Sequence, residues 1–304
     1  MHTSTTSTVP LVSWTVAQLL EATQGYWLND QAPNTEIKRI LTDSRDAEAG
    51  DAFLALKGER FDAHAFITQV AEQGCQVAIV SQPIDAEVCQ LVVPDTRLAL
   101  GQLGAYRRAQ NPQLKVIALT GSSGKTTTKE MLGSILSRIA PTLVTRGNLN
   151  NDLGVPVMLL ELRPEHQYAV MELGASHQGE IDYTSNLVQP LVAGIINIGT
   201  AHLGEFGGRD GICRAKSEIY AHIAPNGTSI VPAADDFADS IRQAVQTEQM
   251  LSFGAGGEIF ATEIELQAQS ATFKLNTPQG VSQVNLPFAG EHNVQNSTAA
   301  AAFA

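Results

Sequence analysis

Val116-Ile-Ala-Leu-Thr-Gly-Ser-Ser-Gly-Lys-Thr-Thr-Thr128 is the stretch on which the reading of the fold turns. Val116–Leu119 is a short, continuous apolar run of the kind a strand buried on both faces requires. Beyond the Gly/Ser segment, Leu132, Ile135, Leu136 and Ile139 recur at i, i+3, i+4 and i+7, the spacing of one helix face. A strand, a glycine-rich turn and a helix together present successive N–H groups and a positive helix end to phosphate oxygens. Within Thr120, Gly121, Ser122, Ser123, Gly124, Lys125, Thr126 and Thr127, the lysine would reach the outer phosphates of a nucleotide. The Thr126 hydroxyl would ligate Mg2+. The loop is shorter than the usual Gly, four residues, Gly-Lys-Ser/Thr, because Leu119 stands where the first glycine is expected. A Gly/Ser turn that merely caps a helix is the competing reading.

Outward from this loop, Tyr168–Leu173 and Val192–Ile198 are further near-continuous apolar strands alternating with helical segments, the rhythm of a doubly wound, mostly parallel sheet. From Ile259 the pattern changes. Ile264 and Leu266, Phe273 and Leu275, and Val284 and Leu286 alternate with polar residues, and Pro278-Gln279-Gly280 separates two of these runs, which predicts a small antiparallel patch. Toward the N-terminus, Gln76–Ser81 and Gln90–Pro94 read as strands. Phe66, Ile67, Val70 and Ala71 follow helical spacing, and Thr96–Gln110 reads as a helix ended by Asn111-Pro112. The expected class is therefore α/β: a small N-terminal α/β domain (residues 14–111) after a disordered tail (1–13), then a doubly wound P-loop ATPase domain (112–304). The Ala-rich stretch Thr298–Ala304 stops without a Gly or Pro signal and reads as a helix cut short.

Composition narrows the function classes. A net charge of −12 argues against a nucleic-acid partner, which needs a broad Lys/Arg surface, but leaves room for a nucleotide held by a local nest of N–H groups and one lysine. No apolar run approaches the ~18 residues of a membrane span. The polar N-terminus lacks the features of a signal peptide, so a cytoplasmic location is expected. Cys75, Cys89 and Cys213 have no metal-binding or redox spacing and read as reduced thiols.

The Thr-Gly-Ser-Ser-Gly-Lys-Thr-Thr loop resembles that of the Mur ligases, which build the peptide stem of peptidoglycan precursors. The resemblance extends to Thr42-Asp-Ser-Arg45, Ala55-Leu-Lys-Gly-Glu-Arg-Phe-Asp-Ala-His64, Gly147-Asn-Leu-Asn-Asn-Asp-Leu-Gly-Val-Pro156, Glu172-Leu-Gly-Ala175, His177-Gln-Gly-Glu-Ile181, Ala201-His-Leu203, Ala215-Lys-Ser-Glu-Ile219 and the Gly290–Asn296 segment. It covers nearly the whole chain from about Trp14. Three domains are implied by it: one for the UDP end of the substrate, a central ATPase, and a C-terminal ligase domain that this sequence would lack. Also implied are ATP-driven joining of D-alanyl-D-alanine to UDP-N-acetylmuramoyl-tripeptide through an acyl phosphate, and Mg2+ as the metal. A family member that adds a single amino acid, or a nucleotide-binding module without catalysis, are the alternatives.

Residue by residue, the resemblance implies that Glu172 and His202 hold metal. Their bland readings are a carboxylate capping a turn and a structural histidine. Lys216 is implied to carry a carbamate and hold a second Mg2+, against the reading of a solvated helix charge. Asn148 and Asn151, with Asn150, would contact the muramoyl group or the phosphates, or simply form a turn. Asn293 and Asn296 would read the adenine, or cap a helix start. Ser44, Arg45, Lys57, Gly58, Arg60, Phe61 and His64 would form the UDP pocket, with Phe61 stacking on uracil, or else a charged surface turn.

Overall fold

The computed structural model describes residues 12–58, 61–201 and 203–304. The expected tail falls largely on residues 1–11, and Arg60 and His202 also lie outside the described residues. The chain divides into two compact units: the described part of Met1–Gln110 with Leu159–Arg163, and Asn111–Met158 with Pro164–Ala304.

The first unit runs α1 (Val16–Thr23), β1 (Tyr26–Trp27), β2 (Ile40–Leu41), β3 (Ala52–Leu54), α2 (Ile67–Glu72), β4 (Val77–Val80), β5 (Cys89–Val92) and α3 (Thr96–Ala109). Its five-stranded sheet has the order β1-β5-β4-β3-β2, parallel from β2 to β5 with β1 antiparallel at one edge. Side chains cap the starts of α1 and α3. Thr15 and Gln18 form a reciprocal capping box on α1, and the Asp95 carboxylate accepts from the N–H groups of Arg97 and Leu98 at the start of α3. Helical spacing between Ala63 and Gly74 becomes a 3-10 turn over Ala63–Phe66 that runs into α2. Phe53, Ile67, Val70 and Val80 fill the core beneath.

In the second unit, β6 (Lys115–Thr120), α4 (Lys125–Leu136), β7 (Thr142–Val144), α5 (Gly154–Leu160, its last two residues grouping with the first unit), β8 (Tyr168–Glu172), α6 (Glu180–Val188), β9 (Val192–Ile195), α7 (Arg209–Ser217), β10 (Thr228–Pro232), α8 (Ala238–Ala244) and β11 (Gln249–Phe253) succeed one another. The sheet order is β11-β10-β9-β6-β8-β7, and every pairing is parallel. The chain leaves β6 toward β7 on one side and later returns to β9 on the other, so the order reverses around β6. Beyond the C-terminal ends of the strands, such a reversal opens a crevice.

The helix after the loop buries a narrower face than the apolar spacing predicts. Leu132 and Leu136 are buried with Thr128, Lys129 and Gly133, whereas Ile135 and Ile139 are 39% and 66% exposed. The reason lies at Gly133, where a Cβ would come within 2.8 Å of Val144 Cγ2. Only a side-chain-free position lets α4 lie this close to β7, and that contact sets the helix rotation. Leu136 ends the helix, so Ile139 falls beyond it.

The remaining elements are β12 (Phe260–Leu266), β13 (Ala271–Thr277), β14 (Gly280–Leu286) and α9 (Glu291–Phe303). The three strands form the expected small antiparallel sheet. Phe273 packs with Val294 of α9, while Ile264 and Leu266 stay largely exposed beside an irregularity in register between Thr262 and Glu265. Further along, Ala299, Ala300 and Phe303 of α9 join the core formed by Ile117, Leu119 and Leu132. No helix among the described residues is long and apolar enough to cross a membrane.

Candidate active site

Four strand ends meet at one edge of the six-stranded sheet. β6 delivers the loop Gly121–Gly124, with Gly124 in the left-handed region at φ 74°. A side chain at Gly124 would be both strained and obstructed, since a Cβ there would lie 2.3 Å from Asn296 Oδ1. No side chain caps α4, which leaves its first-turn N–H groups to an outside acceptor. Lys125 opens that helix and donates to the Gly121 carbonyl at 3.0 Å.

β8 delivers Glu172, which is 1% exposed. Its carboxylate accepts from the Thr126 hydroxyl at 3.1 Å and from Asn150 Nδ2 at 2.8 Å. The Glu172 backbone N–H donates to Thr145 Oγ1 at 3.0 Å, just past the end of β7. Lys129, fully buried, comes off α4 to donate to the Thr145 carbonyl at 2.7 Å and pairs with Glu130 at 2.9 Å. One network therefore ties the loop helix, the β7 exit and the carboxylate together. Burying a carboxylate against a hydroxyl and a carboxamide, both neutral, leaves its charge uncompensated by any ion pair among the described residues. Glu172 and Thr126 also supply hard oxygen donors side by side. This donor set suits a magnesium ion.

α7 delivers Lys216, which is 5% exposed rather than a solvated helix charge. Burial, with the nearby Lys125 ammonium as a second cause, pushes its amine down to about 8. Lys125 is lowered by burial too, with Glu172 acting against the shift. A cleft of about 230 Å³ is lined by Gly121, Lys125, Asn150, Asn151, Asp152 and Lys216, among others. A second cleft of about 310 Å³ lies along Asn197, Phe253, Gly254, Ile264, Gln295 and Asn296.

The predicted residues separate accordingly. Lys125, Thr126, Glu172 and Lys216 are brought together, with Thr120, Ser122, Ser123 and Thr127 in or beside the same loop. Of the asparagine cluster, Asn150 binds Glu172, Asn151 Oδ1 accepts from Gly154 N at 2.8 Å at the start of α5, and Asn148 is exposed. Asn296 abuts the loop, whereas the Asn293 carboxamide turns back to the Ala289 carbonyl at 2.7 Å, a helix-start bond.

In the first unit, Ser44 and Arg45 lie in a 3-10 turn where Arg45 pairs with Asp43 and stays exposed. Lys57 pairs with Asp62 at 3.5 Å, and Gly58 N donates to the Phe61 carbonyl at 2.8 Å. Phe61, 58% exposed, stacks on Phe66 with centroids 5.8 Å apart. His64 is buried and braces the unit, with Nδ1 2.5 Å from Asp62 and Nε2 accepting from Ser81 N at 3.0 Å. Sequence reasoning passed over Lys129, Thr145, Asp152 and Asn197. Of these, only Asn197 carried a signal, as a polar residue inside an otherwise apolar strand run.

A model of the Mur ligase middle domain matches residues 119–304, and one of the Mur ligase family catalytic domain matches residues 36–117. The chain is 43% identical over 295 residues to the UDP-N-acetylmuramoyl-tripeptide-D-alanyl-D-alanine ligase of Escherichia coli, covering 96% of this chain and 64% of that protein. It is 43% identical over 300 residues to the Haemophilus influenzae enzyme of the same name, covering 97% and 65%. Among solved structures, MurF from Acinetobacter baumannii superposes with a TM-score of 0.95 at 78% identity, over 97% of this chain and 65% of that one. MurF ligase from Thermotoga maritima in complex with ADP superposes with a TM-score of 0.79 at 28% identity, over 86% of this chain and 61% of that one. The chain thus spans somewhat under two thirds of the length of these relatives.

Proposed function

The chain belongs to the Mur ligase family, and on that premise we propose that it binds and activates the substrates of an ATP-dependent, cytoplasmic ligase joining D-alanyl-D-alanine to UDP-N-acetylmuramoyl-tripeptide. In this reading a terminal carboxylate oxygen of the tripeptide attacks the γ-phosphorus of ATP and ADP leaves. The dipeptide amine then attacks the acyl carbon of the acyl phosphate, the C–O bond to phosphate breaks, and the amine gives up a proton. All the reacting groups around the transferred phosphoryl are anionic, so alignment and charge neutralisation are the main tasks of the protein.

The observation that carries the proposal is the convergence of Lys125, Thr126 and Glu172 at the sheet's switch point, on a glycine-shaped loop before an uncapped helix. Lys125 and the first-turn N–H groups hold the phosphates. Thr126 and Glu172, with His202 and a carbamate on Lys216, hold Mg2+. The ion supplies positive charge at the phosphate oxygens. A carbamate forms only on a neutral amine, and the lowered Lys216 amine favours that form. Asn296 and the second cleft receive the adenosine, and the first unit, through Ser44, Arg45, Lys57, Arg60 and Phe61, receives the UDP end.

Calorimetric titration with UDP-N-acetylmuramoyl-tripeptide and with a non-hydrolysable ATP analogue plus Mg2+ tests this. Lys125→Ala is expected to weaken the analogue at least about 100-fold, as loss of a charge-assisted phosphate contact, while leaving the UDP ligand within about twofold. Equal loss of both ligands would refute the division of labour between the units.

A further inference from the structure

The phosphate loop has a floor, made by the segment Ile196–Gly199 that leaves β9. A Cβ on Gly121 would meet Ile196 Cβ at 3.1 Å, and one on Gly199 would meet Ser122 Cβ at 3.1 Å. Between these two close approaches stands Asn197, whose side chain is bonded to the loop at several points. Its Oδ1 accepts from the N–H groups of Ser122 at 3.1 Å and Ser123 at 3.0 Å, and more loosely from Ser123 Oγ at 3.4 Å. Its Nδ2 donates to the Ser123 carbonyl at 3.0 Å. The backbone carbonyl of Asn197 also accepts from Ser122 N at 3.1 Å.

The floor is itself anchored from behind. Asp235 Oδ2 accepts from Ile198 N at 2.8 Å while its Oδ1 accepts from Phe237 N at 2.9 Å, and Arg209 donates to the Ile198 carbonyl at 2.9 Å. Asn197 is thus a relay between a braced strand exit and a loop made of glycine and serine, residues that would otherwise sample many conformations.

We propose that Asn197 is a positioning residue for phosphate binding. Its carboxamide pairs with both polar backbone atoms of Ser123 and freezes the outer half of the loop, so that Gly124 and the first turn of α4 present their N–H groups to the phosphates in one arrangement. This rests on the reading of the loop as the ATP phosphate site. Only a carboxamide of this length serves, because it must accept and donate at once. An aspartate would accept from the two N–H groups but would face the Ser123 carbonyl oxygen with a second oxygen. It would also bring a negative charge beside the phosphates.

Asn197 borders the second cleft as well, so the rival account is that it is simply a wall of the base pocket. Titration of wild type, Asn197→Ala and Asn197→Asp with Mg-ADP and, separately, with adenosine distinguishes the two. Asn197→Ala is expected to weaken ADP about tenfold, the effect of losing a pair of modest hydrogen bonds, and Asn197→Asp about 100-fold, with adenosine unchanged within about twofold. Gly199→Ala removes no hydrogen bond but crowds Ser122, and is expected to weaken ADP several-fold, again without touching adenosine. Melting curves recorded alongside confirm that each variant is folded, and Gly199→Ala carries the test if an Asn197 variant is not. Parallel loss of ADP and adenosine would make Asn197 a base-pocket wall. Unchanged ADP affinity in the folded variants would remove it from phosphate binding. Failure of the wild-type protein to bind ADP at all would strike first at the ATP reading, and this proposal would fall with it.

Discussion

Replacing Glu172 by glutamine separates the two things a buried carboxylate at this edge can do, cap a turn or hold a cation. The glutamine side chain matches glutamate in size, so no cavity forms. Its oxygen keeps the bond from Asn150 Nδ2, and its amide faces the Thr126 hydroxyl, which rotates to accept. Two charge-assisted bonds become neutral ones, a loss of about 1 kcal/mol each. Against this, the substitution removes the cost of burying a charged group, part of which the nearby Lys125 ammonium already offsets. The net change in stability is expected to lie within about 1 kcal/mol of zero, or to favour the variant. Cation binding behaves differently, since a metal site that loses an anionic oxygen ligand loses affinity on the order of 100-fold, about 2.7 kcal/mol. The assay is paired: urea unfolding for stability, and ADP titration with Mg2+ and with a chelator. The strengthening of ADP binding by Mg2+ should collapse in Glu172→Gln while the unfolding midpoint barely moves. A variant destabilised by more than about 3 kcal/mol that keeps its full Mg2+ effect would refute the cation reading and leave Glu172 as a structural cap.

Other consequences can be measured directly. Lys129→Met keeps the buried stem but leaves the Thr145 carbonyl without its donor. Because Glu130 is exposed and tolerates losing its partner, a destabilisation of about 1–2 kcal/mol by urea unfolding is expected. Gly124→Ala combines a left-handed backbone with a Cβ driven onto Asn296. It should weaken ADP more than about tenfold and lower the urea-unfolding midpoint, and adding Asn296→Ala should restore only the steric share of that lost stability. Lys216 titrates near 8 in the folded chain against its ordinary 10.5, so between those pH values the unfolded chain holds a proton that the folded chain has released. Wild-type stability relative to Lys216→Met should therefore climb with pH through that window by about 1.4 kcal/mol per unit, and stay flat below it. A flat difference across the window would mean that the amine is not desolvated. Labelled bicarbonate should give a carbamate signal by NMR that grows from pH 7 to 9 and is absent in Lys216→Met.

Several parts of this protein were readable without coordinates because their physics is local. A continuous apolar run must be buried on both faces, a glycine-serine turn before a helix must expose N–H groups, and alternation after Ile259 marks strands, although Ile264 and Leu266 end up exposed. From such runs, the parallel sheet, the loop and the antiparallel patch follow. Even the exit of Glu172 at a strand end is visible, since the apolar run ends there.

What no local rule contains is which residues from distant segments meet. The rotation of α4 was settled by Gly133 against Val144, so Lys129 turned inward and Ile135 outward, contrary to apolar spacing. The choice of Asn150 rather than Asn148 as the partner of Glu172 depended on how the chain leaves β7. In the sequence Lys216 looks like an ordinary helix charge, and Asn197 stands out only as a polar residue in an apolar run. They acquire their chemistry only when α7 and the β9 exit are packed against the loop. Pattern along a chain determines which face of an element is dry, because desolvation acts residue by residue. Hydrogen bonds and charges act through space over a few ångströms, so their partners exist only once the sheet order has closed the distances.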